Sequence, residues 1–359
     1  MLETAFPASS GQLSLSWLQD CFAAAGVHGH LRHFRSEPLP LGVGLVAHLE
    51  RVHLEWDDDQ AAPRSVIAKL PALGDATRMV GLGLRMYERE ARFYQRVARL
   101  SPMHTPAVYG AAFDPDTHAF ILLLQDLEGR FVDQMTGCTI SDAENLIDQV
   151  ARHHVRFWNG ADLAAEAWIP RLADSPYPDL LSSLFSSSWA QADELFGDCL
   201  NDAARVVGSA LVTALPSVMA RLSEPPFTFS HGDFRIDNVC FDQAERAWVF
   251  DWQLPDFSKG PRDVAYLLSQ SVPTESAAGR HKELLARYLA QLERGGVEGY
   301  TWSVALDDYR LAVAFTFIIP VIAAASLNHE SDRHLAVLRV AIERASAALD
   351  ELDVPALFS

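Results

Sequence analysis

The stretch Phe229-Ser-His-Gly-Asp-Phe-Arg-Ile-Asp-Asn-Val-Cys-Phe-Asp242, followed closely by Ala247-Trp-Val-Phe-Asp-Trp-Gln253, constrains this chain more than any other. Two apolar, β-prone runs, Val239 to Phe241 and Ala247 to Phe250, flank the polar Asp242-Gln-Ala-Glu-Arg246. That pattern reads as a hairpin, which holds its ends close together. Asp233 and Asn238 precede the first run and Asp251 follows the second, so three oxygen-bearing side chains are directed toward one spot. Such a donor set suits a hard cation. Magnesium takes one or two carboxylates, an amide and the oxygens of a substrate phosphate in preference to an all-protein cage.

The order of these groups resembles the phosphoryl-transfer template of kinases, in which an Asp orients the acceptor hydroxyl, an Asn shortly after it binds metal, and a second Asp beyond a hairpin binds metal. His231-Gly-Asp-x-x-x-x-Asn238 with Asp251 resembles the catalytic loop of the aminoglycoside phosphotransferase and choline kinase-like superfamily. There, His-Gly-Asp stands in for the His-Arg-Asp of protein kinases, and Asp251-Trp-Gln253 stands where those have Asp-Phe-Gly. With Gly260-Pro-Arg-Asp-Val-Ala-Tyr-Leu-Leu268, the chain looks most like the ecdysteroid kinase-like branch. A lone His-Gly-Asp is most often a turn; the ordered set carries the resemblance. It implies an α+β class, a bilobal protein-kinase-like fold with a small antiparallel β-sheet N-lobe and a larger, mainly helical C-lobe. The division is expected as 1–125 and 126–359. ATP and Mg2+ are the implied cofactors, and the implied acceptor is a hydroxyl group of a small molecule.

Composition agrees with a folded protein of this kind. A chain of 359 residues, 49% hydrophobic and 21% charged, has room for two lobes. A formal charge of -18 excludes a surface built for nucleic acid or anionic membrane, because both require clustered Lys and Arg. Cys21, Cys138, Cys199 and Cys240 are scattered without metal-type or disulfide-framework spacing and read as free thiols of a cytoplasmic protein. The start, Met-Leu-Glu-Thr-Ala-Phe-Pro, lacks the basic and apolar regions of a signal peptide. The apolar run Leu311 to Ala325 is short for a membrane span and contains Pro320, so a buried, kinked helix is expected. Oligomeric state is left open.

Residues toward the N-terminus supply the remaining parts. Ser14 to Ala25 has the pattern of an amphipathic helix ended by Gly26. Gly42 and Gly44 are placed to let backbone approach nucleotide phosphates. Ala47 occupies the third glycine position of that pattern, so a plain β-turn stays open for this loop. Lys69 follows Val66-Ile-Ala68, much like the Val-Ala-Ile-Lys strand whose lysine holds the α- and β-phosphates. A lysine in an apolar strand needs an anionic partner. Glu90, in a Glu-x-x-x-Tyr frame that the family shows, is the first choice, and Glu88 competes with it. Phe120-Ile-Leu-Leu-Leu-Gln-Asp126 reads as a buried strand that turns polar abruptly. By the resemblance this is the hinge, where backbone groups of Leu124, Gln125 and Asp126 meet the adenine edge.

Further along, Ser141-Asp-Ala-Glu144 reads as a capping box opening a helix that carries His153, His154 and Trp158. The two histidines point to different helix faces and read as core residues rather than metal ligands. Segment 160–225 reads as helical; Trp168, Phe185, Trp189 and Phe196 are either core aromatics or walls of an acceptor pocket. Asp263 is expected to cap its own helix in a structural role.

By the resemblance, Asp233 accepts the acceptor's proton, Asn238 and Asp251 hold magnesium, and Lys69 fixes the α- and β-phosphates. Arg235 either offsets γ-phosphate charge or pairs with Asp237 or Asp256. The span from Asp251 to Gly260 is too short for a peptide-docking activation segment, which disfavours protein substrates. An apolar alcohol, an aminoglycoside or a hydroxyacyl thioester fits as acceptor. A nucleotide-binding pseudokinase scaffold is the reading of a different class.

Overall fold

The computed structural model describes residues 6–39, 46–57, 62–326 and 332–358. They group into two compact units: Met1–Gly129 with Asp242–Leu254, and Arg130–Phe241 with Pro255–Ser359. The bilobal, protein-kinase-like α+β class expected from the sequence is the class observed.

In the first unit, Ser14 caps helix α1 (Leu15–Ala24) by accepting the Trp17 N–H, and Gly26 ends it at φ +80°. Strands β1 (Leu31–Pro38), β2 (Ala47–Trp56), β3 (Ser65–Pro71), β4 (Val108–Phe113) and β5 (Phe120–Gln125) form an antiparallel sheet in the order β1-β2-β3-β5-β4. Strand β1 was not foreseen, because an edge strand reading Leu-Arg-His-Phe-Arg-Ser-Glu-Pro is almost wholly exposed and shows no apolar alternation. Trp17, Leu18, Cys21 and Phe22 of α1 pack on Val52, Val66, Ala68, Leu70, Ile121 and Leu123. Because strand side chains alternate, burying Val66, Ala68 and Leu70 under α1 turns Lys69 to the opposite face.

Helix α2 (Asp75–Gly83) ends before Arg85, whose left-handed φ of +55° separates it from α3 (Met86–Arg92), and α3 widens into a π-helical stretch over Phe93–Val97. Segment Asp242–Leu254, placed in the C-lobe by its position in the sequence, groups with this first unit. The cause is local packing: the Val249 N–H donates to the His104 carbonyl at 2.8 Å, and Trp252 stacks on Phe93.

The second unit is mainly helical. Its α-helices among the described residues are α4 (Ile140–Arg156), α5 (Tyr177–Phe196), α6 (Asp202–Leu222), α7 (Pro261–Ser271), α8 (Thr274–Ala277, a single turn), α9 (His281–Arg294), α10 (Trp302–Ser326) and α11 (Asp332–Glu351). Helix α4 begins two residues earlier than expected. Its capping box is Thr139 with Asp142, each side chain receiving the other's backbone N–H at 3.1 Å, and Arg130 bonds the same Asp142 carboxylate. Helix α10 runs through Pro320. Among the described residues, α6 alone is long and apolar enough to cross a membrane, and it packs against α5, α10 and α11. Short strands β6 (Arg130–Phe131) and β8 (Val239–Phe241) pair with each other, and β7 (Thr228–Ser230) pairs with Asp256–Ser258. Trp168, Phe185 and Phe196 are core residues at 4%, 0% and 1% exposure, whereas Trp189 is half-buried and lies over Gly208.

Candidate active site

The first unit assembles one cluster around Lys69. Its ammonium donates to both Glu90 oxygens, at 2.9 and 2.7 Å, and to Oδ1 of Asp251 at 2.5 Å. The competitor Glu88 instead pairs with Arg85, just before its helix, and with Arg92 at the helix end. Burial by itself would push the ammonium down. The Asp251 and Glu90 carboxylates outweigh it and hold Lys69 above its ordinary range. Burial also dominates at Glu90, raising it to about 7 against the pull of Lys69, with the negative Asp251 adding to the rise. Asp251 sits at φ +63°, a conformation unusual for a non-glycine residue and common at functional sites.

The three expected hinge residues lie at the end of β5 and just beyond it. Leu124 lies inside the sheet between Ile67 of β3 and Val108 of β4, and the Gln125 N–H is taken by the Ala107 carbonyl at 2.8 Å. The Asp126 carboxylate is held by Arg51 and Ser65 at 2.7 and 2.6 Å. Gly42 and Gly44 lie outside the described residues.

In the second unit, the loop after β7 carries Asp233, Arg235 and Asn238. The amide of Asn238 donates to the Asp233 carbonyl at 2.8 Å and to Asp233 Oδ2 at 3.0 Å. With both amide hydrogens spent there, its carbonyl oxygen is the atom left for a metal. Arg235 bridges Asp233 Oδ1 at 3.1 Å and Asp237 Oδ2 at 2.9 Å, while Asp256 pairs with Arg262. Burial works to raise the Asp233 carboxyl. Arg235, His231, Tyr266 and Asn238 outweigh it, so the group sits below the usual carboxylate range.

Asp263 does not cap its own helix. Its carboxylate accepts the N–H groups of His231 and Gly232 at 2.8 and 3.0 Å, and His154 Nε2 donates to it at 3.2 Å. His154 Nδ1 in turn meets the Tyr288 hydroxyl at 2.8 Å, and His153 Nε2 donates to the Phe229 carbonyl at 3.0 Å. Both histidines are fully buried structural residues. A clustering of a helix-borne carboxylate with loop amides far away in sequence leaves no short-range signal. Only its buried, charged character in an apolar helix marks it.

The two units thus hold, respectively, a buried lysine shared by two carboxylates and an aspartate loop locked by an amide. The chain belongs to the phosphotransferase enzyme family, whose model matches residues 83–302. Among solved structures it is similar to a candidate aminoglycoside phosphotransferase of Ralstonia eutropha (15% identity, TM-score 0.57, 94% of this chain and 97% of that one). It is also similar to aminoglycoside 2'-phosphotransferase-IIIa in its GDP complex (13%, 0.54, 94% and 99%). A third is the amicoumacin kinase hAmiN in complex with AMP-PNP, Ca2+ and Ami (15%, 0.51, 90% and 92%). These likenesses show the fold. No curated protein matches the chain.

Proposed function

We propose that this phosphotransferase is an ATP- and magnesium-dependent kinase that phosphorylates a hydroxyl group of a small molecule, in the manner of the ecdysteroid kinase-like branch. The observation that carries the reading is the Lys69 ammonium, buried and bonded at once to Glu90 and Asp251. Holding a cation there against desolvation makes sense for a site that receives phosphates. Lys69 fixes the α- and β-phosphates, and Glu90 orients Lys69. Asp233, ionised at neutral pH, accepts the hydrogen bond of the acceptor hydroxyl and takes its proton late. Asn238, through its amide oxygen, and Asp251, through its carboxylate, are hard donors suited to magnesium. Magnesium, when bound, supplies charge neutralisation at the β- and γ-phosphates. Arg235 leaves Asp233 free to meet the acceptor by turning to the γ-phosphate. Backbone at the end of β5, at Leu124, Gln125 and Asp126, receives the base.

An apolar alcohol suits the helical stretch 160–225, where Leu184 and Val206 stand exposed. The formal charge of -18 favours a cationic acceptor such as an aminoglycoside as the second reading. The test is ATP consumption with magnesium across a panel of apolar alcohols, aminoglycosides, macrolides and hydroxyacyl thioesters, with mass detection of the phosphorylated product. Turnover that disappears in Asp233→Asn is expected. Magnesium-dependent ATP binding that persists in Asp233→Asn, with no product from any acceptor, would support a scaffold instead.

A further inference from the structure

Tyr94 stands one helical turn after Glu90, is 2% exposed, and its hydroxyl has no hydrogen-bond partner among the described residues. A buried hydroxyl without a partner forfeits the desolvation it has suffered, so it is retained where a second state uses it. Its surroundings indicate which state. The ring packs edge-on against Phe93 at 5.1 Å between centroids, and Phe93 stacks on Trp252, the residue after Asp251. Helical side chains lean toward the N-terminus, which carries a residue at i+4 back over residue i. The negative charges of Glu90 and Asp251 both reach the phenol, after burial the next influences raising it.

Donor counting then identifies the acceptor. An ammonium has three N–H donors. In this structure Lys69 spends them on Oε1 and Oε2 of Glu90 and Oδ1 of Asp251. If Lys69 is to hold two phosphates, two of its three donors leave the carboxylates. Asp251 has a metal to turn to. Glu90, 1% exposed, has no solvent and keeps one donor for two oxygens.

We propose that Tyr94 is a positioning residue: its hydroxyl, without a partner among the described residues, donates to the Glu90 oxygen that Lys69 gives up when nucleotide binds. The bond keeps Glu90 ionised and fixed in place, so that Glu90 continues to aim Lys69 at the phosphates. This inference rests on the kinase reading above.

The experiment compares Tyr94→Phe with the wild type, using Mg-ATP as the probe in calorimetric titration and thermal unfolding of the nucleotide-free protein. A hydrogen bond to a charged group formed only in the bound state predicts about tenfold weaker Mg-ATP binding in Tyr94→Phe. The melting temperature without nucleotide is expected to be unchanged or slightly raised, because the proposed bond forms only when nucleotide is bound. A tyrosine with a merely structural role gives the reverse pattern, a lower melting temperature with unchanged affinity, and that result overturns the proposal. Equal affinity at equal stability overturns it as well. A wild-type protein that binds no Mg-ATP at all overturns the kinase reading itself, and is told apart because the defect is already present before substitution.

Discussion

Trp252 lies flat on Phe93, with ring centroids 3.9 Å apart and planes 7° from parallel. Trp252 follows Asp251 in the chain and Phe93 lies one turn after Glu90, so the stack ties together the two acids that share Lys69. Trp252 is also fully buried, and its indole N–H donates to the Val249 carbonyl. Trp252→Ala is expected to lower stability by about 3–5 kcal/mol, read from the midpoint of urea unfolding. Trp252→Phe, which keeps a ring for the stack, should recover much of that loss.

Lys69→Met removes the cation that, among the described residues, pairs with the buried Glu90 carboxylate, and leaves two acids facing each other. Breaking a buried pair from one side costs about 3–5 kcal/mol. The expected result is an early unfolding midpoint in guanidinium together with loss of phosphoryl transfer. Adding Glu90→Gln in the same chain should restore part of the stability and none of the activity. A double variant no more stable than Lys69→Met would show that the pair is not what the cluster depends on.

Asp263 is placed to hold the loop that carries Asp233, through the amides of His231 and Gly232. In Asp263→Asn one amide oxygen must serve where two carboxylate oxygens did. A loss of about 3 kcal/mol is expected for a buried, charge-assisted set of hydrogen bonds, along with a fall in kcat larger than any change in KM for ATP. Steady-state kinetics beside urea unfolding would check both. A wild-type kcat in the variant would remove Asp263 from the support of the loop.

Burial holds His153 neutral, pulling it from 6.5 to about 3. Between those values the unfolded chain binds a proton that the folded chain does not. Stability from this group is therefore present above about pH 6.5 and is lost as pH falls toward 3, with a slope approaching about 1.4 kcal/mol per pH unit. His153→Gln keeps a donor for the Phe229 carbonyl and removes the titration. Its stability curve from pH 7 to pH 4 should be flatter than that of the wild type, by equilibrium unfolding at fixed ionic strength.

Much of the local structure was legible in residues alone. Ser14 and Gly26 bracket α1 because a side-chain oxygen and a left-handed glycine each satisfy helix-end groups nearby in sequence. The run Phe120–Leu124 announces a central strand because burial on both faces demands unbroken apolar residues. Lys69 in its apolar strand and the Asp233, Asn238 and Asp251 set stand out because charges and amides in such company require partners.

The choice of those partners was not written in short-range pattern. Glu88 and Glu90 offer the same group two residues apart, and only the packing of α3 sets Glu90 against Lys69 and leaves Glu88 to Arg85 and Arg92. Thr139 and Ser141 both open a capping pattern, and Arg130 adds a further bond to the register that uses Asp142. Asp251 joins the first unit through a tryptophan stack, and Asp263 turns from its own helix to a loop thirty or so residues earlier in the chain. Sequence by itself determined which side chains had to be satisfied, because desolvation is a property of residue type and local burial pattern. Tertiary structure decided what satisfies them, because a hydrogen bond selects its partner by distance in space and not by separation along the chain.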